Sequence, residues 1–308
     1  TTRRLRSGLC VVDKPAGMTS HDVVAKLRRI VGTRKVGHAG TLDPAATGVL
    51  IVGVEKATRL LGYISAGSKD YSATIRLGQS TTTDDADGDV VTTSNAAGLT
   101  HARILLAIAP LMGEIDQIPS AVSAVRIAGK RAYQRVRDGE CVEIPARRVS
   151  VTRFDLTEVR FHGERVDIDI EVSCSAGTYI RALARDLGAV LGVGGHLTAL
   201  RRTRVAGFPI SQAHTLEELA AHDQPVTIDL SSAVAAHFRR RDLDAAQTAK
   251  LRHGVPLPGT GIVGAYGAFA PDGEVVALLS ELATDPDLAT YPDAATRDPV
   301  ARPLVVFS

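Results

Sequence analysis

Cysteine is scarce: Cys10, Cys141 and Cys174 are scattered through 308 residues, odd in number and without metal-ligand spacing. Neither a disulfide framework nor a zinc site is indicated, and a reducing cytoplasm is the expected compartment. Long apolar runs are missing too. Nothing approaches the roughly 20 residues of a membrane-spanning helix, and the cations Arg3, Arg4 and Arg6 lead into no apolar leader core, so a soluble, unsecreted protein is expected. Familiar catalytic signatures are also lacking. Gly192-Val193-Gly194-Gly195 follows a helical pattern where a dinucleotide fingerprint must precede one, and is expected to stop that helix. Gly129-Lys130-Arg131 lacks the upstream glycine and the Ser/Thr of a P-loop, and there is neither a Gly-x-Ser-x-Gly elbow nor a helix with paired metal-binding histidines. The acidic turn from Thr83 to Gly88 mimics a calcium loop, but it starts on Thr83 and meets Ser94 at its twelfth position, with no closing bidentate carboxylate. A solvated turn is expected there.

What remains is ample for a folded protein. With 44% hydrophobic and 23% charged residues the chain can bury a proper core, and its length suggests one large and one small domain. The net charge of +2 hides basic clusters at Arg28-Arg29 with Arg34-Lys35, Lys130-Arg131 with Arg135 and Arg137, Arg147-Arg148, Arg201-Arg202-Arg204 and Arg239-Arg240-Arg241. Such repetition suggests a polarised surface suited to phosphate. Strand patterns at residues 9–12, 49–54, 71–77, 149–156 and 166–172 do not alternate regularly with helices, although Val23, Val24, Leu27, Ile30 and Val31 draw an apolar helical stripe and another helix opens near Ile180. The expected class is α+β, a mixed, largely antiparallel sheet with peripheral helices. The hairpin signal around Pro271-Asp272-Gly273 adds a small β-rich unit, which divides the chain into residues 1–236 and 237–308.

The stretch Gly37-His38-Ala39-Gly40-Thr41-Leu42-Asp43-Pro44-Ala45-Ala46-Thr47-Gly48 is the best candidate for an active site. Pro44 biases Asp43 toward extended geometry, while Gly40 and Gly48 allow turns that other residues resist. This presents a single carboxylate on a rigid loop between a helix-like segment and a buried strand. The stretch resembles the catalytic loop of the TruB family of bacterial tRNA pseudouridine synthases, G-H-x-G-T-L-D-P-x-A-x-G-x-L, at every specified position through Leu50. Lys14-Pro15-x-Gly17, Lys69-Asp70-Tyr71, Gly78-Gln79 and the acidic turn resemble further motifs of that family. Gln117-Ile118-Pro119-Ser120-Ala121-Val122-Ser123-Ala124-Val125-Arg126 departs from its Q-x-P-P-x-[YF]-S-A-x-K, with Ser120 for proline, Val122 for the aromatic and Arg126 for lysine.

The resemblance implies a synthase fold ending in an RNA-binding PUA-like domain. It also implies pseudouridine formation at the T-loop uridine called position 55 in tRNA numbering. Asp43 would be the essential aspartate, acting covalently or as a base; Tyr71 would stack on the extruded base and Arg181 would pair with Asp43. Tyr179 and Leu200 fall on positions that line the uracil pocket, Lys14 on one that supports the active site, and His38 on one that contacts the T loop. No metal or other cofactor is implied, the partner is the tRNA T arm, and a monomer without an obligate protein partner or membrane attachment is expected. The competing expectation is a non-catalytic RNA-binding or tRNA-folding protein that opens the T arm with the same surface. A metal-dependent base deaminase lacks its His/Cys ligand set.

Overall fold

Unbroken apolar runs need cover on both faces, and the first two strands obtain it by pairing in the middle of a sheet. Gly8–Lys14 runs antiparallel to Thr47–Val54, from Gly8 opposite Val54 to Lys14 opposite Gly48. Leu9 and Val11 belong to one apolar cluster and Cys10 and Val12 to another, as period-two alternation requires. The computed structural model describes residues 6–120, 126–127, 130–131, 144–281 and 300–307. Within them the two strands belong to a ten-stranded sheet ordered Ile228–Asp229, Gly8–Lys14, Thr47–Val54, Gly195–Val205, Lys69–Leu77, Arg165–Cys174, Arg147–His162 and Gly113–Gln117, with Val36–Ala39 and Phe208–Pro209 at its margins. Its pairings are antiparallel except where Gly195–Val205 meets Thr47–Val54. This is the α+β arrangement expected from the strand pattern.

Helices cover the sheet. Ser20–Val31 starts at a capping box in which the Thr19 hydroxyl accepts from Asp22 N (3.1 Å) and the Asp22 carboxylate accepts from Thr19 N (2.9 Å). It stops at Gly32, which is left-handed at φ 76°, and it buries Val23, Val24 and Leu27. Ile180–Leu191 packs Leu183, Ala184 and Leu187 into the cluster built on Ile75 and Ile168, and Gly192 stops it at φ 74°, as the glycine-rich sequence led one to expect. A 3-10 turn over Glu55–Leu60 is continued by the short helix Leu61–Ser65.

The C-terminal sheet has five strands in the order Arg239–Asp242, Ala265–Phe269, Val275–Glu281, Val300–Val306 and Leu257–Pro258. Its Phe269, Val275, Leu278 and Phe307 share one apolar cluster with Leu9, Leu60, Phe208 and Val234 of the large sheet and its helices. Lys56 and Arg59 donate to the Phe307 and Val306 carbonyls at 3.0 and 2.6 Å. The acidic segment at residues 285–298 and the departures at Val122 and Arg126 lie outside the residues described with side chains.

Candidate active site

The second edge of Thr47–Val54 is shared by two partners. Val36–Ala39 pairs with residues 51–54, while Arg201 and Arg202 pair in parallel with Thr47 and Gly48. The chain leaves the sheet after Ala39 and returns at Thr47, so Asp43 rides on a loop that emerges at this fork; Gly37, His38 and Ala39, read from sequence as loop, are strand. Gly40 and Gly48 take positive φ, 77° and 101°. At Gly48 a Cβ would stand 2.2 Å from the Arg202 carbonyl oxygen, so a side chain has no room.

The loop is fastened from below. The Ser20 hydroxyl donates to Leu42 O and accepts from Leu42 N, at 3.1 and 3.0 Å. Fully buried Lys14 donates to Pro15 O, Met18 O and Pro44 O at 2.9, 2.7 and 3.1 Å. Burial pushes its ammonium down to about 8, with the Asp43 charge opposing the shift. Asp43 projects from this frame with Oδ2 3.0 Å from Arg181 Nε and Oδ1 3.5 Å from Arg181 Nη2. The guanidinium is 7% exposed and the carboxylate 40%, so a buried cation holds a carboxylate that faces the opening.

Arg181 has further partners. Its Nη1 donates to Thr83 O at 3.1 Å and lies 3.4 Å from the Asp85 carboxylate, which is 18% exposed. One helical turn on, Arg185 reaches Asp84 at 3.4 Å. The acidic turn is therefore only partly solvated: Ala86 and Asp87 are exposed, while Asp84 and Asp85 are drawn inward. Two arginines on the same helix face draw Asp84 and Asp85 onto the back of the site, across a separation of about a hundred residues that no local pattern marks.

Tyr71 lies on Lys69–Leu77, whose buried and less buried residues alternate, so Lys69 and Tyr71 share a face. Burial raises the Tyr71 pKa and keeps the phenol protonated. Burial also pushes Lys69 down to about 8, where its ammonium donates to Ser65 O and Gly67 O at 2.7 and 2.9 Å. Gln117 fixes the Tyr179 backbone, accepting from Tyr179 N at 2.8 Å and donating to Tyr179 O at 3.1 Å.

These residues wall a cleft of about 400 Å³ in which Asp43, Tyr71, Tyr179, Arg181 and Leu200 come together. Lys14 reaches it only through the loop backbone. His38 does not line it: its ring stands edge-on to His21 at a centroid distance of 5.4 Å, and its Nδ1 is buried without a hydrogen-bond partner. Burial lowers its pKa, which keeps the imidazole neutral near pH 7. Lys69, Arg147, Arg181 and Arg202 line the cleft against the single carboxylate of Asp43, a balance of +3 that suits a polyanion. Among the described residues no group of three or more His, Cys, Asp or Glu could hold a metal ion.

Sequence reasoning missed Asp85, Gln117 and Arg202, and it misjudged the basic run around Arg202. Arg201 pairs with Asp13 at 2.8 Å, Arg204 pairs with Asp70 at 2.7 Å, and Arg202 is buried. Arg201 and Arg204 are thus engaged by carboxylates of other strands, while Arg202 lies at the cleft. Arg241 is likewise buried, 3.3 Å from the Tyr266 hydroxyl.

The architecture is the pseudouridine synthase fold. The chain superposes on one from the "Crystal Structure of a Cbf5-Nop10-Gar1 Complex" with TM-score 0.74 and 28% identity, covering 99% of this chain and 86% of that one. It also matches one from the "Structure of H/ACA RNP bound to a substrate RNA containing 2'-deoxyuridine" with TM-score 0.71 and 26% identity, covering 98% and 85%. Family profiles narrow the class. "TruB family pseudouridylate synthase (N terminal domain)" matches residues 28–180, "tRNA pseudouridylate synthase B C-terminal domain" residues 181–232, and "tRNA Pseudouridine synthase II, C terminal" residues 238–285. The protein named tRNA pseudouridine synthase B in Mycobacteroides abscessus is 57% identical over 277 residues, covering 90% of this chain and 93% of that one. Its namesake in Nocardia farcinica is 55% identical over 283 residues, covering 91% and 92%. The chain belongs to the TruB family.

Proposed function

We propose that the protein isomerises uridine to pseudouridine in tRNA, at T-loop position 55, with Asp43 as the essential carboxylate. The observation that carries this reading is the Asp43 carboxylate held by buried Arg181 in a cleft that also contains Tyr71. In the reaction the N1–C1′ bond breaks, the detached uracil turns, C5 joins C1′, and the proton on C5 is replaced by one on N1. Atoms and oxidation state balance without a cofactor. Asp43 acts either covalently at C1′ or as a base, and both roles need the carboxylate that Arg181 holds. Tyr71 stacks on the flipped base and stays protonated, so it serves as a proton donor or a hydrogen-bonding hydroxyl. Tyr179 and Leu200 close around the uracil, Lys14 steadies the loop, and His38 touches the T loop from outside the cleft.

The protein works on this reading as a cytoplasmic monomer without an obligate protein partner, its catalytic unit spanning residues 1–236 and its RNA-gripping unit residues 237–308. Because the two sheets share a core, a chain ending at Ala236 is expected to remain folded but to melt at a lower temperature, as Val234 and Leu60 lose cover. It should also bind RNA more weakly. Undiminished RNA affinity in a filter-binding titration would remove the C-terminal sheet from the RNA interface.

Unstacked loop bases are legible to side chains, whereas the deep major groove of an RNA helix is not. An isolated T-arm stem-loop is therefore expected to be a sufficient substrate, with affinity that falls steeply as salt rises. Tyr71→Leu removes a stacking face worth about 1 to 3 kcal/mol, and should slow modification more than His38→Ala does. Initial rates of pseudouridine formation on the stem-loop and on full tRNA test this. Efficient reaction on full tRNA alone would refute local recognition, and a Tyr71→Leu rate like wild type would refute stacking. Tight binding without any pseudouridine would favour the tRNA-folding alternative.

A further inference from the structure

We propose that Arg202 is a positioning residue of the catalytic loop, fastening both of its ends so that Asp43 holds its place; this rests on Asp43 being the catalytic carboxylate. Arg202 is 1% exposed and ranks first by volume among the fully buried side chains of the described residues. Its Nη2 donates to Gly40 O at 3.0 Å, its Nη1 to Thr41 O at 3.2 Å and its Nε to Val49 O at 2.8 Å. Two of these carbonyls precede Asp43, and the third follows the point where the loop rejoins the sheet. One rigid planar group therefore spans the mouth of the loop. Ser20 and Lys14 hold the carbonyls of Leu42 and Pro44 between these ends.

The backbone repeats the clasp. Arg202 pairs with Gly48 in the parallel ladder, where no Cβ fits, and on its other edge it stands opposite Tyr71. One residue thus links the position of Asp43 to that of the stacking tyrosine. Its neighbours Arg201 and Arg204 have carboxylate partners at 2.8 and 2.7 Å, whereas Arg202 has no such ion pair among the described residues. Burying a guanidinium without a counter-ion is costly, and its three carbonyl partners offset that cost. Holding three divergent carbonyls is what the guanidinium does that neither an apolar group nor an ammonium can do.

Single-turnover rates on the T-arm stem-loop, with stem-loop affinity measured in parallel, test the assignment. Arg202→Met and Arg202→Lys should each react about 100-fold more slowly, the scale of loss for a reacting group displaced by about 1 Å. Their stem-loop affinity should stay within about threefold of wild type, because the loss falls on the chemical step. Arg202 lines the cleft, so millimolar guanidinium should restore part of the rate of Arg202→Ala while methylammonium does not. If Arg202→Lys reacts like wild type, charge alone suffices and the positioning role falls. If affinity drops in step with rate, Arg202 is an RNA contact. If none of the three variants folds, it is a residue of the core. Asp43→Asn is run alongside: an active Asp43→Asn overturns the reading beneath the proposal, whereas an inactive one beside full-rate Arg202 variants overturns the positioning role alone.

Discussion

Asp43→Asn is expected to abolish pseudouridine formation while leaving stem-loop affinity within about tenfold of wild type. The amide keeps the volume of the carboxylate and one oxygen that still accepts from Arg181 Nε, now 3.0 Å from Oδ2. The loop is fastened through Leu42 and Pro44 rather than through the Asp43 side chain, so its course should persist. What disappears is the negative charge that attacks C1′ or removes a proton. A tritium-release assay with [5-³H]uridine in the stem-loop measures the reaction, since the C5 hydrogen leaves in every turnover. Release at one hundredth of the wild-type rate would mean a loss of only about 2.7 kcal/mol of transition-state stabilisation, too little for an essential group.

Arg181→Met is the second large effect. The buried guanidinium serves Asp43, Asp85 and the Thr83 carbonyl together, and a methionine of similar length fills the space without serving any of them. Asp43 and Asp85 then both lose their shared cation, which destabilises the fold as well as the site. A rate loss of about 100-fold is expected from the released Asp43 alone. Adding Asp85→Asn removes one stranded charge, so the double variant should melt at a higher temperature than Arg181→Met while reacting no faster. Stability that sums simply over the two changes would show that Arg181 and Asp85 do not act as a pair.

The loop around Asp43 was legible because its chemistry is contiguous: two glycines, a proline and a carboxylate within a dozen residues, beside a helix with a clear cap and stop. The strand pattern at residues 71–77 placed Tyr71, but its role came only from the resemblance, and Lys69 was not singled out. Gly195–Val205 was not, because its Arg201, Arg202 and Arg204 look like surface, and only the fold shows that two of them meet Asp13 and Asp70 and the third meets bare carbonyls. The acidic turn failed for the same reason. Composition reports that a residue is charged, whereas its partner lies on another strand or helix and is set by topology.

The fork in Thr47–Val54 makes the two pairings a ruler for the loop. His38 is locked opposite Val52 by one partner strand and Gly48 opposite Arg202 by the other, so the distance from Ala39 to Thr47 is measured at both ends. A one-residue insertion or deletion in residues 40–46 cannot be absorbed by sliding either strand, since a slip of one would turn every buried side chain of that strand to the opposite face. Length variation at residues 40–46 therefore costs one pairing or the other. The reach of the catalytic carboxylate is therefore written in strand register, and a redesigned loop must keep its residue count before it keeps its sequence.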